Sequence, residues 1–139
     1  MDTPHNKLIV CLIDDDRIYQ FTAQKTIEAT QLASHVLAFH HGKEAINFIQ
    51  ANQESGETLP DIIFLDINMP EMDGWQFLDA FKAIKHQLSK SIIIYMVSSS
   101  VDEYDLRRSS QYQEVTNYLI KPVVKERFTE LLTTHNRSV

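Results

Sequence analysis

Apolar residues in this chain gather in short unbroken runs, and each run ends in a polar side chain. Leu8–Ile13 leads into Asp14-Asp15-Asp16, Ile62–Leu65 into Asp66, Ile92–Val97 into Ser98, and Tyr118–Ile120 into Lys121-Pro122. The first three runs are continuous rather than alternating, the pattern of parallel strands covered on both faces. His35–Phe39 and Thr116–Ile120 are weaker strand candidates. Between the runs the period becomes helical: Ala45, Ile46 and Ile49; Phe77, Phe81 and Ile84; Val124, Phe128, Leu131 and Leu132. Asp16 suits the N-cap of a helix from about Arg17 to Thr30, and Asp102 that of a short helix after Val101. Gln50–Pro60 and Lys85–Ser91 are polar and read as surface loops or helix extensions.

Strand followed by helix, five times over, predicts an α/β fold with a doubly wound five-stranded parallel sheet and right-handed crossovers. The 139 residues suffice for one domain over 1–139, with a core at about 7–134. No repeat, linker or low-complexity stretch interrupts it. Hydrophobic content of 43% and charged content of 23% fit a soluble globular protein. A net charge of −6, with 13 scattered Lys and Arg, argues against nucleic-acid binding. The single cysteine, Cys11, lies within the first apolar run, so it reads as a buried inert thiol with no intrachain disulfide partner. Met1–Asn6 lacks the layout of a signal peptide, and no apolar run is long enough to span a bilayer. A cytoplasmic protein with no membrane partner is the expectation.

The strand ends carry the candidate chemistry. In an open α/β sheet, ligands bind beyond the C-terminal ends of the strands. Two carboxylates about 4 Å apart there repel by roughly 4 kcal/mol at an effective dielectric of 20, so something positive must neutralise them. Hard oxygen donors select Mg²⁺, Mn²⁺ or Ca²⁺ over softer metals, and Mg²⁺ commonly shares its shell with a phosphate. Lys121 supplies a second, protein-fixed cation. Each feature alone reads as a turn, a helix cap or a loop; the four strand ends jointly point to a phosphoryl site.

Leu12–Asp16, Leu65-Asp-Ile-Asn-Met-Pro-Glu-Met-Asp-Gly74, Met96-Val-Ser98 and Leu119-Ile-Lys-Pro122 resemble the receiver domain of two-component response regulators. The resemblance covers essentially the whole chain, in order, and is closest to stand-alone, chemotaxis-regulator-like single-domain receivers of flavodoxin-like (βα)5 fold. It implies that Asp66 is the phosphoacceptor. Asp14, Asp15, Asp66 and the backbone carbonyl of Asn68 would hold the metal, and Lys121 and Ser98 would pair with phosphoryl oxygens. It further implies a cis Lys121-Pro122 bond and a switch formed by Ser98 and Tyr118. Asn68 and Ser100 are implied to tune the lifetime of the phosphorylated state. The phosphodonor would be a sensor histidine kinase or a histidine phosphotransfer protein. Output would be a downstream protein docking on the helix 4–strand 5–helix 5 face, or onward relay. Such a chain is a regulatory phosphoacceptor rather than an enzyme, catalysing only its own phosphorylation and dephosphorylation. Many receivers carry Gly-Ala where this chain has Gln113–Asn117, so altered packing of the fourth helix is expected there.

Three rival readings are weaker. Asp14-x-Asp16 superficially matches the nucleophile motif of haloacid dehalogenase-like phosphatases, but only Glu126 and Glu130 follow Lys121 where those enzymes need a further acidic pair. A degenerate, non-phosphorylated receiver is opposed by the intact set Asp14, Asp15, Asp66, Ser98 and Lys121. Six histidines invite a zinc or phosphotransfer reading, yet none has ligand spacing on a convincing helix. Asp16 reads as a cap or surface residue, and Trp75 as a core anchor opening the third helix.

Overall fold

The computed structural model describes residues 7–100 and 102–136. Among them strands and helices alternate: β1 (Leu8–Ile13), α1 (Arg17–Ala29), β2 (Ala33–Phe39), α2 (Gly42–Ala51), β3 (Ile62–Asp66), α3 (Gly74–Ile84), β4 (Ile93–Ser98), α4 (Glu103–Ser109), β5 (Val115–Ile120) and α5 (Lys125–His135). A 3-10 turn over Lys85–Gln87 continues α3 into the polar connection read from the sequence. All pairings are parallel, in the order β2-β1-β3-β4-β5. The chain therefore forms the doubly wound five-stranded sheet that its hydropathy pattern predicts.

β1 and β3 are buried at every position and β4 at all but its first, because each has a strand on both sides and helices on both faces. The edge strands β2 and β5 are only partly covered, which explains their weaker apolar signal. Alternation along the central strands divides the interior in two. Cys11, Ile13, Ile63, Leu65, Ile94 and Met96 face α2 and α3, packing on Ile46, Ile49, Phe77 and Phe81. Val10, Leu12, Phe64, Tyr95 and Val97 face α1 and α5, packing on Ile27, Phe128 and Leu132. Phe64 is the hub of that layer, stacked on Tyr95 at 5.5 Å and edge-on to Phe128 at 5.1 Å.

Helix boundaries follow their caps. Asp16 and Asp102 serve as N-caps, accepting from the backbone N–H of Tyr19 and Tyr104 respectively. Val124 departs from expectation. It stands before α5 with an extended backbone (φ −76°, ψ 161°) and is 56% exposed, so the buried stripe is Phe128, Leu131 and Leu132 alone. Periodicity counts residue types and cannot register that the helix begins one residue later.

Cys11 is buried as expected, and burial pushes its thiol far above the ordinary range, which keeps it inert. Among the described residues no helix is long and apolar enough to cross a membrane. Met1–Asn6, including His5, and Val101 lie outside the described residues.

Candidate functional site

The alternation that builds the core also decides which face each strand-end residue serves. Leu12, Phe64 and Leu119 belong to the layer facing α1 and α5. Asp14, Asp66 and Lys121, each two residues further on, leave the sheet on that side. Ser98 follows Met96 to the opposite layer, against which Tyr118 also packs.

The carboxylates converge. Asp14 and Asp66 are buried, Asp15 is exposed, and one carboxylate oxygen from each lies within 4.8 Å of the others. Two ligands on opposite sides of a Mg²⁺ would stand about 4.2 Å apart, given bonds of about 2.1 Å, so this donor set fits a small hard cation. Lys121 Nζ lies 2.7 Å from Asp14 Oδ2 and 3.4 Å from Asp66 Oδ1. Its backbone N–H donates to the Ser98 carbonyl at 2.8 Å, tying the ends of β4 and β5 together. The Lys121-Pro122 bond is cis, as the resemblance implies. Asn68 is exposed on the loop leaving β3.

Burial first, and like charge second, set the electrostatics. Burial, reinforced by the charge of Asp14, pushes the Asp66 carboxyl up to about 6, although Lys121 pulls the other way. Burial alone would depress the Lys121 ammonium, but its hydrogen bond to Asp14 and the charges of Asp66 and Asp14 outweigh that and raise its pKa.

The β3–α3 loop is held under the site by close backbone approach. Gly74 donates to the Ile67 carbonyl at 2.7 Å. A Cβ on Gly74 would lie 2.7 Å from the Asp66 carbonyl oxygen and 2.9 Å from Ile67 Cα, which leaves room only for glycine. A capping box closes the loop: Asp73 Oδ1 accepts from Gln76 N–H at 2.8 Å, and Gln76 Oε1 from Asp73 N–H at 2.9 Å.

Asp16 lies outside the carboxylate group, as expected of a cap. Its N–H donates to Asp14 Oδ1 at 2.9 Å, and its own Oδ1 accepts from Tyr19 N–H at 3.0 Å. Ser98 and Tyr118 meet through Ser100: Ser98 Oγ accepts from Ser100 N–H and the Tyr118 hydroxyl donates to the Ser100 carbonyl, both at 3.4 Å. Tyr118 is half-buried. Glu114 turns away from α4 to pair with Lys85, so the bulk expected to disturb α4 is spent at the far end of β5. α4 itself has only seven residues, Glu103–Ser109.

Two residues of α1 escaped the sequence reading. Tyr19 places its ring 4.4 Å from Lys121 Nζ. Gln20 is buried and donates through its amide to the Phe39 carbonyl at 2.8 Å, which also accepts from Asp14 N–H at 3.0 Å. Gln20 thereby braces the ends of β1 and β2 beneath the acidic triplet. The signal was present: a glutamine in register with Ala23 and Ile27 lies on the buried stripe of its helix.

Trp75 is buried, as read from sequence, stacked on Tyr112 at 5.8 Å with the Arg108 guanidinium 4.5 Å from its ring. The Tyr112 hydroxyl donates to Asp79 Oδ1 at 2.9 Å, which completes a clasp between α3 and the end of α4. The described histidines lie outside the carboxylate cluster. His35, His41 and His86 are exposed, and His135 Nε2 shares a 2.7 Å hydrogen bond with the Tyr95 hydroxyl.

A sequence profile of the response regulator receiver domain matches residues 10–133. The chain belongs to that family. The receiver is 30% identical to a two-component response regulator from Cytophaga hutchinsonii, whose solved structure superposes with a TM-score of 0.83 over 94% of this chain and 97% of that one. It is 25% identical to the "Probable methanogenesis regulatory protein FilR2" of Methanothrix harundinacea, over 83% of this chain and 72% of that protein. It is 28% identical to the two-component response regulator ORR1 of rice, over 82% of this chain. There the match takes in 49% of the relative, so the receiver spans about half of its length. The fold is that of a flavodoxin-like receiver, and the family function is that of a response regulator in two-component signalling.

Proposed function

We propose that Asp66 is the phosphoacceptor of this receiver and that Lys121 and Ser98 pair with the phosphoryl oxygens. One observation carries the reading: three carboxylates gather at the strand ends, two of them buried and bridged by a single lysine. A carboxylate oxygen of Asp66 attacks phosphorus as the P–N bond of a phosphohistidine breaks. The acyl phosphate forms on Asp66, and the imidazole nitrogen leaves with the electron pair and takes a proton. Asp14, Asp15, Asp66 and the Asn68 backbone carbonyl would hold Mg²⁺ or Mn²⁺, which supplies charge neutralisation for the incoming phosphoryl oxygens. Lys121 is already within 3.4 Å of Asp66, so it meets the group without a large movement. Ser98 is aimed toward the other layer and turns in to donate its hydroxyl.

The phosphodonor is a sensor histidine kinase or a histidine phosphotransfer protein in the cytoplasm. Exposed Ile18 and Phe21 on α1, the helix whose Tyr19 touches Lys121, support docking of a protein donor at this rim. Output is binding: Tyr104, Leu106, Ile120 and Val124 are large exposed apolar residues on α4, β5 and the start of α5. Ser98 and Tyr118 communicate the phosphoryl group to that face, and the same acyl phosphate can be relayed onward.

Incubation with acetyl phosphate and Mg²⁺ tests the reading. The native protein should gain one phosphoryl group by mass spectrometry and Asp66→Asn none. Full labelling of the variant, or label mapped to a histidine, would overturn it.

A further inference from the structure

We propose that Tyr19 is a positioning residue for Lys121, its ring holding the ammonium against Asp14 and Asp66 before a phosphoryl group arrives. The proposal rests on the phosphoacceptor reading above. Four contacts form a closed circuit. Lys121 Nζ reaches Asp14 Oδ2 at 2.7 Å; Asp14 Oδ1 accepts from Asp16 N–H at 2.9 Å; Asp16 Oδ1 accepts from Tyr19 N–H at 3.0 Å; and the Tyr19 ring returns to Lys121 Nζ at 4.4 Å. The third aspartate of the triplet, whose carboxylate lies outside the cluster, thus fixes the helix residue that faces the lysine.

Tyr19 packs against the α1–α5 core layer only from its edge. The buried stripe of α1 is Gln20, Ala23 and Ile27, and Tyr19 lies at its flank, half-buried. The ammonium has three N–H groups and no acceptor capacity. Asp14 and Asp66 occupy two directions and the ring face a third, so little of it is left for water. Lys121 has a long, flexible stem, and an aromatic face confines it without consuming a carboxylate. A hydrogen-bonding side chain at Tyr19 would compete with the phosphoryl oxygens for the same N–H groups; a π face attracts the charge and leaves them free.

Removing the face lets Lys121 spread over other rotamers and take up water. An interaction of about 0.5–2 kcal/mol corresponds to roughly a 2- to 30-fold loss in the fraction of lysine correctly placed. With acetyl phosphate at saturating Mg²⁺, Tyr19→Leu should slow labelling of Asp66 by that factor, whereas Tyr19→Phe, which keeps the face and loses the hydroxyl, should retain the native rate. Mg²⁺ affinity should be unchanged in Tyr19→Phe and should not fall in Tyr19→Leu, where a less confined ammonium competes less for Asp14 and Asp66. A second readout needs neither metal nor phosphate: the Lys121 CεH₂ protons should be shifted upfield by the ring current in native protein and Tyr19→Phe, and return to the ordinary lysine position in Tyr19→Leu. A native rate in Tyr19→Leu, failure of Tyr19→Phe to restore it, or unshifted Lys121 protons in native protein would each overturn the proposal. Should Tyr19→Leu fail to fold, the native and Tyr19→Phe spectra still decide it. A native protein that takes no label at all would instead sink the phosphoacceptor reading.

Discussion

Replacing Asp66 by asparagine should abolish phosphorylation and, in the same stroke, make the metal-free protein more stable. Burial first, and then the charge of Asp14, raise this carboxyl from 3.8 to about 6, even with Lys121 alongside. At about 1.4 kcal/mol for each tenfold in proton affinity, holding Asp66 ionised at neutral pH costs the native state up to about 3 kcal/mol. The side chain is only 8% exposed, so solvent screening removes little of that. The native pKa exceeds the unfolded one, so the stability this carboxyl contributes is full below pH 3.8 and is lost as pH rises through about 6. Asparagine keeps the shape, can still accept from Lys121, and carries no charge. Urea unfolding in EDTA, followed by circular dichroism at about pH 7.5, should show a midpoint about 1–3 M higher for Asp66→Asn, taking a urea slope of about 1–3 kcal/mol per M. The gap should close toward about pH 4, where native Asp66 is protonated. Saturating Mg²⁺ should also narrow it, because three carboxylates would hold the ion more tightly than a site lacking one anionic ligand. An equal or lower midpoint for the variant in EDTA, or a gap that persists at acid pH, would refute the account of a buried, crowded carboxylate.

Three further expectations follow from geometry. Gly74→Ala places a methyl group against backbone rather than a yielding side chain; it should displace the loop under Asp66, lower stability by about 1–3 kcal/mol and weaken Mg²⁺ binding, as read by thermal melts with and without the ion. Asp15→Ala should weaken Mg²⁺ in calorimetric titration more than Asp16→Ala, because Asp15 belongs to the carboxylate cluster and Asp16 caps α1; equal losses would contradict that division. Ser98→Ala should leave Asp66 able to take a phosphoryl group yet confine the chemical-shift changes caused by a beryllofluoride mimic to the strand ends, whereas in native protein they should reach Tyr118 and α4.

What could be seen in the sequence depended on how local its cause was. β1, β3 and β4 are covered on both faces, so continuous apolar runs marked them to within a residue. β2 begins at Ala33, earlier than its apolar signal, because an edge strand keeps polar residues such as Ser34 and His35 exposed. Val124 was misassigned because exposure at a helix entrance is set by backbone angles rather than composition. Asp14, Asp15, Asp66 and Lys121, each ordinary alone, were legible because several strand ends deliver polar groups to the same sheet edge, and the structure gathers them. Tyr19 was not. Its partner lies 102 residues away, and the two meet only because the folded sheet brings the Lys121 ammonium to Asp14 and Asp66, beside the start of α1.

The clasp of Arg108 and Tyr112 around Trp75 makes this protein its own optical probe. The chain has one tryptophan, so its emission arises from a single environment. That indole sits one residue after the glycine pressed against the Asp66 carbonyl, while the guanidinium over its face belongs to α4. Displacement of α4 withdraws a cation from 4.5 Å and unstacks Tyr112, which donates excitation to the indole at this range. Adding a metal or a phosphodonor to unlabelled protein in a cuvette therefore reports the seat of the helix, and stopped-flow mixing turns the same signal into a rate.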